Sequence, residues 1–381
     1  MDKIRFLLPL VLVILWATPA LSELSVHGFL QGNYSVNTDS ENPDGGDFKW
    51  AEERAQLKIE GRKEPYNLII KTDIFYDHID EETKIELREG YTDIVSEKWD
   101  ARLGRQIITW GIGDMIFIND VFPKDYEAFF SGRPLEYLKK GIDGIKAGLY
   151  PQMLNLELIV IPFFEPNTFP DGKRFHNSMN PDASKPNETE VALRAYKNLS
   201  GLDTSIYFYR GFYREPSMKA DGSFFYPELS VYGASLEGRA FGIEVGYYDS
   251  REWRKGETPR LPNPTSRILL TYKGQPLEDL SIGIQYYTEY MNSSEENNDR
   301  LYQLTSLRIT QMLLHQEMGI SLFIFYSPTH GDYMFNPEIR YRFTDTIRAS
   351  IGGNIFGGNP SGRFGRLDKN DNAYIQLRYE Y

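Results

Sequence analysis

From Leu24 onward, apolar or small residues fall on alternate positions. Leu24, Val26, Gly28, Leu30, Gly32, Tyr34 and Val36 share one parity, and Ser25, His27, Gln31, Asn33 and Ser35 share the other. A period of two predicts a strand with two differently solvated faces. The pattern recurs along the chain. Leu57, Ile59 and Gly61 alternate with Arg54, Gln56, Lys58 and Glu60, and Leu68, Ile70, Thr72 and Ile74 oppose Lys71 and Asp73. Phe241, Ile243, Val245 and Tyr247 alternate around Glu244, Leu280 to Tyr286 repeats the pattern, and Ile339, Tyr341 and Phe343 oppose Glu338, Arg340 and Arg342. No stretch keeps a helical period. Parity is arguable in two places, 85–94 and 141–149.

The connections alternate in length. Short ones are expected at 63–64, 96–97, 151–152, 199–200, 238–239, 274–275, 313–314 and 344–345. Between them lie long segments rich in Asn, Asp, Gly and Pro: 37–47, 110–140, 162–187, 212–226, 250–265, 292–299 and 357–371. Short turns on one side and long loops on the other are the signature of an antiparallel up-and-down transmembrane β-barrel of the bacterial outer membrane. The segments number about eighteen, with sixteen the other even count they allow. A soluble β-sandwich would also give strands with one apolar face. So many strands would then need two or more domains, and the chain shows no linker or shift in composition. The polar face carries full charges in mid-strand, and aromatics such as Tyr34, Tyr76, Tyr247, Tyr272, Tyr326 and Tyr379 close the apolar face near strand ends, as interfacial girdles do.

The first residues break the pattern. Lys3 and Arg5 precede an apolar run from Phe6 to Trp16, and Ala20-Leu21-Ser22 supplies a small-x-small site. This order predicts a leader over 1–22 cleaved after Ser22, leaving 23–381 as one barrel domain. The run is shorter than the ~20 residues of a spanning helix. Composition then narrows the chemistry. The 381 residues include no cysteine, which excludes disulfides and thiolate sites. A formal charge of -12 excludes a nonspecific nucleic-acid binder.

Two segments resemble known proteins. The alternating, aromatic-ended run Asn372-Ala373-Tyr374-Ile375-Gln376-Leu377-Arg378-Tyr379-Glu380-Tyr381 resembles the C-terminal signal read by barrel-assembly machinery. Leu103-Gly104-Arg105-Gln106-Ile107-Ile108-Thr109-Trp110-Gly111, leading into Asn119-Asp120-Val121-Phe122-Pro123, is similar to a strand and loop of porin-like barrels related to alginate-export and phosphate-selective porins. The resemblance implies an outer-membrane location in a Gram-negative-type envelope and pore formation. It leaves the solute open.

On these parities the lumen receives Arg54, Lys58, Lys71, Arg102, Arg194, Arg308, Arg340, Arg342, Arg348 and Arg378 among its bases. Glu244, Glu289 and Glu317 are among its acids. Closure of the barrel would bring the last strands to the first, forming an arginine sector that faces an acidic sector of Glu244, Glu289 and Glu317. Such a field orients polar solutes and favours carboxylate or phosphate groups. The alternative is that these charges pair across neighbouring strands. At about thirty residues the segment 110–140 is long enough to be functional. Its apolar cluster of Met115, Ile116, Phe117, Ile118, Val121, Phe122, Phe129 and Phe130 must pack somewhere. Either it folds inward, placing Asp114, Asp120, Lys124, Asp125 and Arg133 near an eyelet, or it packs on the rim or against a partner subunit.

The five histidines show no metal-ligand spacing. The oxygen-rich segments 41–47 and 368–372 lack the full calcium-loop pattern, so no metal or cofactor is expected. The expected function is a channel for passive diffusion of small polar or anionic solutes. The alternatives are a sheath around a partner protein, such as an electron-transfer partner, and a rim enzyme, for which His78 beside Asp77 and Asp80 is the one local hint. The expected partners are outer-membrane lipid and, through the Tyr381 segment, barrel-assembly machinery, with a homo-oligomer left open and no nucleic acid.

Overall fold

The computed structural model describes residues 23–178, 181–251, 262–292 and 300–381. The expected leader, and parts of the segments 162–187, 250–265 and 292–299, lie outside the described residues.

Eighteen strands form one sheet. In chain order they are β1 (Glu23–Asn37), β2 (Phe48–Lys63), β3 (Tyr66–Asp77), β4 (Glu82–Val95), β5 (Trp99–Gln106), β6 (Ile142–Leu149), β7 (Asn155–Ile161), β8 (Glu190–Leu199) and β9 (Leu202–Phe212). The second half comprises β10 (Glu228–Glu237), β11 (Phe241–Ser250), β12 (Thr265–Leu277), β13 (Leu280–Met291), β14 (Leu301–Leu313), β15 (Met318–Ser327), β16 (Asp332–Arg342), β17 (Ile347–Gly357) and β18 (Asn372–Glu380). Each strand pairs antiparallel with its neighbours in sequence. The sheet closes where Phe29 to Asn37 of β1 run against Asn372 to Glu380 of β18. Gly28 and Tyr381 extend this seam by exchanging backbone hydrogen bonds of 3.0 and 3.1 Å. The Tyr381 hydroxyl donates to the Gln56 carbonyl across Gly28, and a Cβ on Gly28 would lie 2.1 Å from that carbonyl oxygen. Glycine is therefore required at position 28.

The outward parity is predominantly apolar. Leu57, Ile74, Ile206, Ile243, Leu270, Ile284, Ile351 and Leu377 are all exposed. Tyr66, Trp99, Phe241, Tyr272, Phe343 and Tyr379 ring the short-turn end, and Tyr34's strand-end counterparts Tyr76, Tyr290 and Tyr326 mark the other end. A continuous apolar belt around a closed sheet suits a lipid surround, so the fold is a transmembrane barrel. Arg105 and Asp143, paired at 2.8 Å, are an exception on this outward parity.

The connections depart from expectation in several places. The turn between β12 and β13 is at Glu278 and Asp279 rather than 274–275, because β12 continues to Leu277 through a register irregularity after Gly274. On the otherwise long-loop side, 78–81 and 328–331 are tight turns. The uncertain parity of β4 has a physical cause. A register shift opposite Lys71 and Thr72 places Arg88 and Glu89 together, and the alternation changes phase there.

Candidate functional site

The segment between β5 and β6, residues 107–141, folds into the barrel. It carries helix α1 (Tyr126–Phe130), capped by Asp125, whose carboxylate accepts the Ala128 N–H at 2.8 Å, and a 3-10 turn over Leu135–Leu138. Hydrophobic packing decides its position. Ile108, Trp110, Ile116, Ile118, Val121 and Phe122 form one buried cluster with inward residues of the wall. These include Ile142 of β6, Ile159 and Ile161 of β7, Ala192 of β8, Tyr207 and Tyr209 of β9, Leu229 and Val231 of β10 and Leu269 of β12. The loop-side ends of these strands are apolar on the inward face as well, and β6 offered two parities because Asp143 and Lys146 put a charge on each of its faces. The inward packing expected as one of two options for this loop is the one found.

Polar anchors fix the details. Glu244 on β11 is almost fully buried and accepts three hydrogen bonds from the loop: Ile112 N at 2.8 Å, Asn119 N at 2.8 Å and Asn119 Nδ2 at 2.9 Å. Gly111, with φ +76°, lies so close that a Cβ would stand 2.5 Å from the Glu244 carboxylate. The Tyr248 hydroxyl donates to the Ile118 carbonyl, and Trp110 Nε1 donates to Glu157 at 2.6 Å. On the far wall, Asn354 and Asn372 donate to the Phe130 carbonyl, and Gln376 donates to the Gly132 carbonyl. Arg133 lies between the rings of Trp50 and Tyr137, at 4.3 and 4.6 Å, with Glu52 at 3.7 Å. Arg174 covers Trp50 at 4.4 Å.

Between the loop and the walls of β14 to β18 and β1 remains a cavity of about 380 Å³. Five arginines line it, Arg133, Arg308, Arg340, Arg348 and Arg378, against two glutamates, Glu136 and Glu338. Gln31, Ser321, Asn336, Ser350 and Gln376 add neutral polar groups, and Phe129, Pro134, Leu135 and Phe323 add an apolar flank. Most of the charges have partners. Arg308 meets Asp114 at 2.6 Å, Arg340 meets Glu338 at 2.6 Å, and Arg348 meets Glu380 at 2.6 Å. Arg378 meets Glu136 at 2.5 Å and donates from Nε to the Gln31 side-chain oxygen at 2.7 Å. Although burial opposes ionisation of Glu136, Arg378 and Lys71 hold its carboxyl below the usual range.

Several expected roles are corrected. Glu317 is not a wall residue. It ends the exposed turn 314–317, in which Leu314, His315 and Gln316 all have positive φ. Glu244 is consumed by the loop, and Glu289 is held by the Tyr287 hydroxyl at 2.5 Å, Arg267 at 3.4 Å and Arg363 at 3.8 Å. The acidic sector therefore does not form. Arg54 is buried in a network with Glu52 at 2.7 Å and Asp73 at 2.6 Å, stacked on Phe75 and Tyr137, and faces no open lumen. Lys58 pairs with Glu60, Lys71 lies 3.7 Å from Glu136, and Arg102 pairs with Asp93 at 2.6 Å. Arg194 bonds Ser205 at 3.0 Å and covers Tyr196. For these residues pairing prevails, along the strand for Arg54 with Glu52 and Lys58 with Glu60, and with a neighbouring strand or the loop for the others. Arg342 is exposed at the end of β16, in register with Arg348 and outside the cavity lining.

Of the expected eyelet residues, Arg133 lines the cavity and Asp114 reaches one of its arginines. Asp120 and Lys124 instead pair with each other at 2.9 Å, buried inside the loop, and Asp125 serves as the helix cap. Sequence reasoning missed Glu136, because nothing in its spacing marks a short turn in a long loop.

The remaining local hints have structural partners. His78 Nε2 lies 2.5 Å from Glu53, and Asp77 and Asp80 both bind Arg174 at 2.7 Å and are shared with Lys84. In the segment 368–372, Asn370 accepts from Lys49 and His176, and Asp371 accepts from Phe356 N. Among the described residues no group of three or more His, Asp or Glu is placed to hold a metal.

No family model matches the chain, and no curated protein matches it. Solved structures do. The chain is similar to Acinetobacter baumannii OccAB3, with a TM-score of 0.56 at 8% identity over 95% of this chain and 100% of that one. It is equally similar to OccAB1 of the same organism, with a TM-score of 0.56 at 9% identity over 95% and 97%. In fold the chain is a porin-like barrel. At these identities the likeness speaks for the fold alone, and the assignment of a role rests on the lumen.

Proposed function

We propose that this barrel is an outer-membrane channel through which small polar or anionic solutes diffuse without chemical catalysis. In this reading a cleaved leader directs export, barrel-assembly machinery reads the C-terminal strand, and the apolar belt meets outer-membrane lipid. The observation that carries it is the cavity in which five arginines face two glutamates beside an inward-folded loop. A loop that narrows an aqueous lumen beside an arginine cluster makes a selectivity site, because lumen residues tune which ions pass. The sheath reading is weakened by the same loop, since residues 107–141 occupy the space that an enclosed partner protein would need.

The test is single-channel conductance of the refolded protein in a planar bilayer, with the reversal potential measured under a salt gradient. Steady conductance whose selectivity moves toward cations in Arg340→Ala/Arg348→Ala supports the reading. Absence of conductance from a folded barrel overturns it in favour of the sheath.

A further inference from the structure

Two carboxylates of the inward loop touch the arginines of the cavity. Asp114 Oδ2 lies 2.6 Å from Arg308 Nε. Glu136 Oε1 lies 2.5 Å from Arg378 Nη2, and its other oxygen lies 3.7 Å from Lys71 Nζ. We propose that Glu136 is a built-in competitor: its carboxylate occupies, in the resting channel, the place on Arg378 and Lys71 that a carboxylate-bearing solute takes during passage. The inference rests on the channel reading.

Three features of the geometry support exchange over permanent fastening. First, Glu136 does not hold the loop. The main chain of that turn is gripped independently by Arg88, whose Nη2 donates to the Glu136 carbonyl at 2.8 Å and to the Lys139 carbonyl at 3.2 Å. Tyr137, the next residue, is fully buried and stacked on three guanidinium groups. The carboxylate is therefore free to swing while its backbone stays. Second, the Glu136 side chain is one-third exposed and borders the cavity, so a solute reaches it without displacing protein. Third, Arg378 is presented for exchange. Its Nε is fixed by Gln31 at 2.7 Å and its plane rests on Phe29 at 3.9 Å, which leaves the Nη2 edge aimed at the carboxylate whichever molecule supplies it.

An internal carboxylate in this place prevents a strong arginine site from trapping its solute, because conduction needs binding weak enough to be reversed. Removing the charge should tighten binding and shift selectivity together. A pair whose carboxylate is one-third exposed to the cavity is partly screened by solvent and exchanges at a small free-energy difference, so the expected effect is about two- to fivefold.

The experiment compares the wild type, E136Q and E136D in planar bilayers, with acetate as the probe and chloride as the reference anion. The expected result for E136Q is about a two- to fivefold tighter acetate interaction, read from saturation of the acetate current, with the reversal potential moved toward anions. E136D, which restores the charge, should return both readouts toward wild type. Limited proteolysis of residues 107–141 in the same preparations should be unchanged. Conductance with no shift in E136Q overturns the competitor while keeping the channel. A loop made protease-sensitive by E136Q turns Glu136 into a fastener and overturns it as well. No conductance from folded wild-type protein overturns the channel reading and this inference with it.

Discussion

Glu244 offers the sharpest perturbation, because one side chain accepts three hydrogen bonds that place the loop. Ile112 N, Asn119 N and Asn119 Nδ2 all reach its carboxylate within 2.8 to 2.9 Å, in a site shielded from water. Glu244→Leu leaves three donors facing an apolar surface. A buried donor without a partner costs about 1–3 kcal/mol, so loop docking should weaken by roughly 3–6 kcal/mol after relaxation. Glu244→Gln should fall between, since its amide nitrogen meets donors on one side. The barrel itself should persist, because its pairing is main-chain and β11 keeps both neighbours. Single-channel recording of Glu244→Leu should show larger and noisier conductance, and proteolysis should cut within 107–141. Wild-type conductance together with a protease-resistant loop would refute the view that this carboxylate holds the loop.

Two further predictions concern charge. Burial, and then the neighbouring Asp125, push the Glu127 carboxyl up to about 7, against the opposing pull of Arg174 and the Asp171 N–H. Its raised value means that the docked loop favours the protonated acid, so this contribution is fully present below the ordinary carboxylate range of ~4.3 and fades as pH rises through about 7. Proteolysis of the loop should therefore accelerate between about pH 4.5 and pH 7 and level off above it, and Glu127→Gln should flatten that dependence; an identical profile in the variant would count against it. Arg54→Met strips the buried carboxylates of Glu52 and Asp73 of their shared cation and should destabilise the barrel by about 3–5 kcal/mol. Urea unfolding in lipid vesicles measures this, and a change under about 1 kcal/mol would show that the network is more relaxed than its distances imply.

The barrel was legible in the sequence because lipid imposes one rule on every strand. The outward parity from Leu24 to Leu377 is predominantly apolar, with the paired Arg105 and Asp143 as an exception. The inward parity obeys no such rule, and errors of reading collect there. Glu317 was read as lumenal because a turn placed at 313–314 left it on a strand, whereas three consecutive residues with positive φ carry the chain on to 317. Glu244 looked like a pore charge because alternation gives a direction and cannot tell that Asn119, 125 residues away in sequence, will claim it. Glu136 was invisible for the same reason, since its partners Arg378 and Lys71 come from distant strands. The length and apolar content of the loop did say that it must pack; the choice between inward and rim packing was open in the sequence and is decided by the buried cluster with β6 to β12.

That last feature divides the lumen into two halves with different physics. On the side of β6 to β12, loop and wall meet through Ile118, Phe122, Ile142, Ile159, Ile161, Val231 and Leu269, all buried, so the loop's position is set by burial that salt does not screen. On the side of β14 to β18 and β1, neutral contacts from Asn354, Asn372, Gln376 and Phe356 hold the loop backbone and Phe130, while the charged contacts are ion pairs that border open space. Ionic strength should act on the second half alone. Raising salt should weaken the discrimination between anions and cations while leaving the geometry of the constriction, and with it the conductance per unit of bulk conductivity, unchanged. A loop held mainly by its charges would behave otherwise, with salt opening the passage and dulling its selectivity at once.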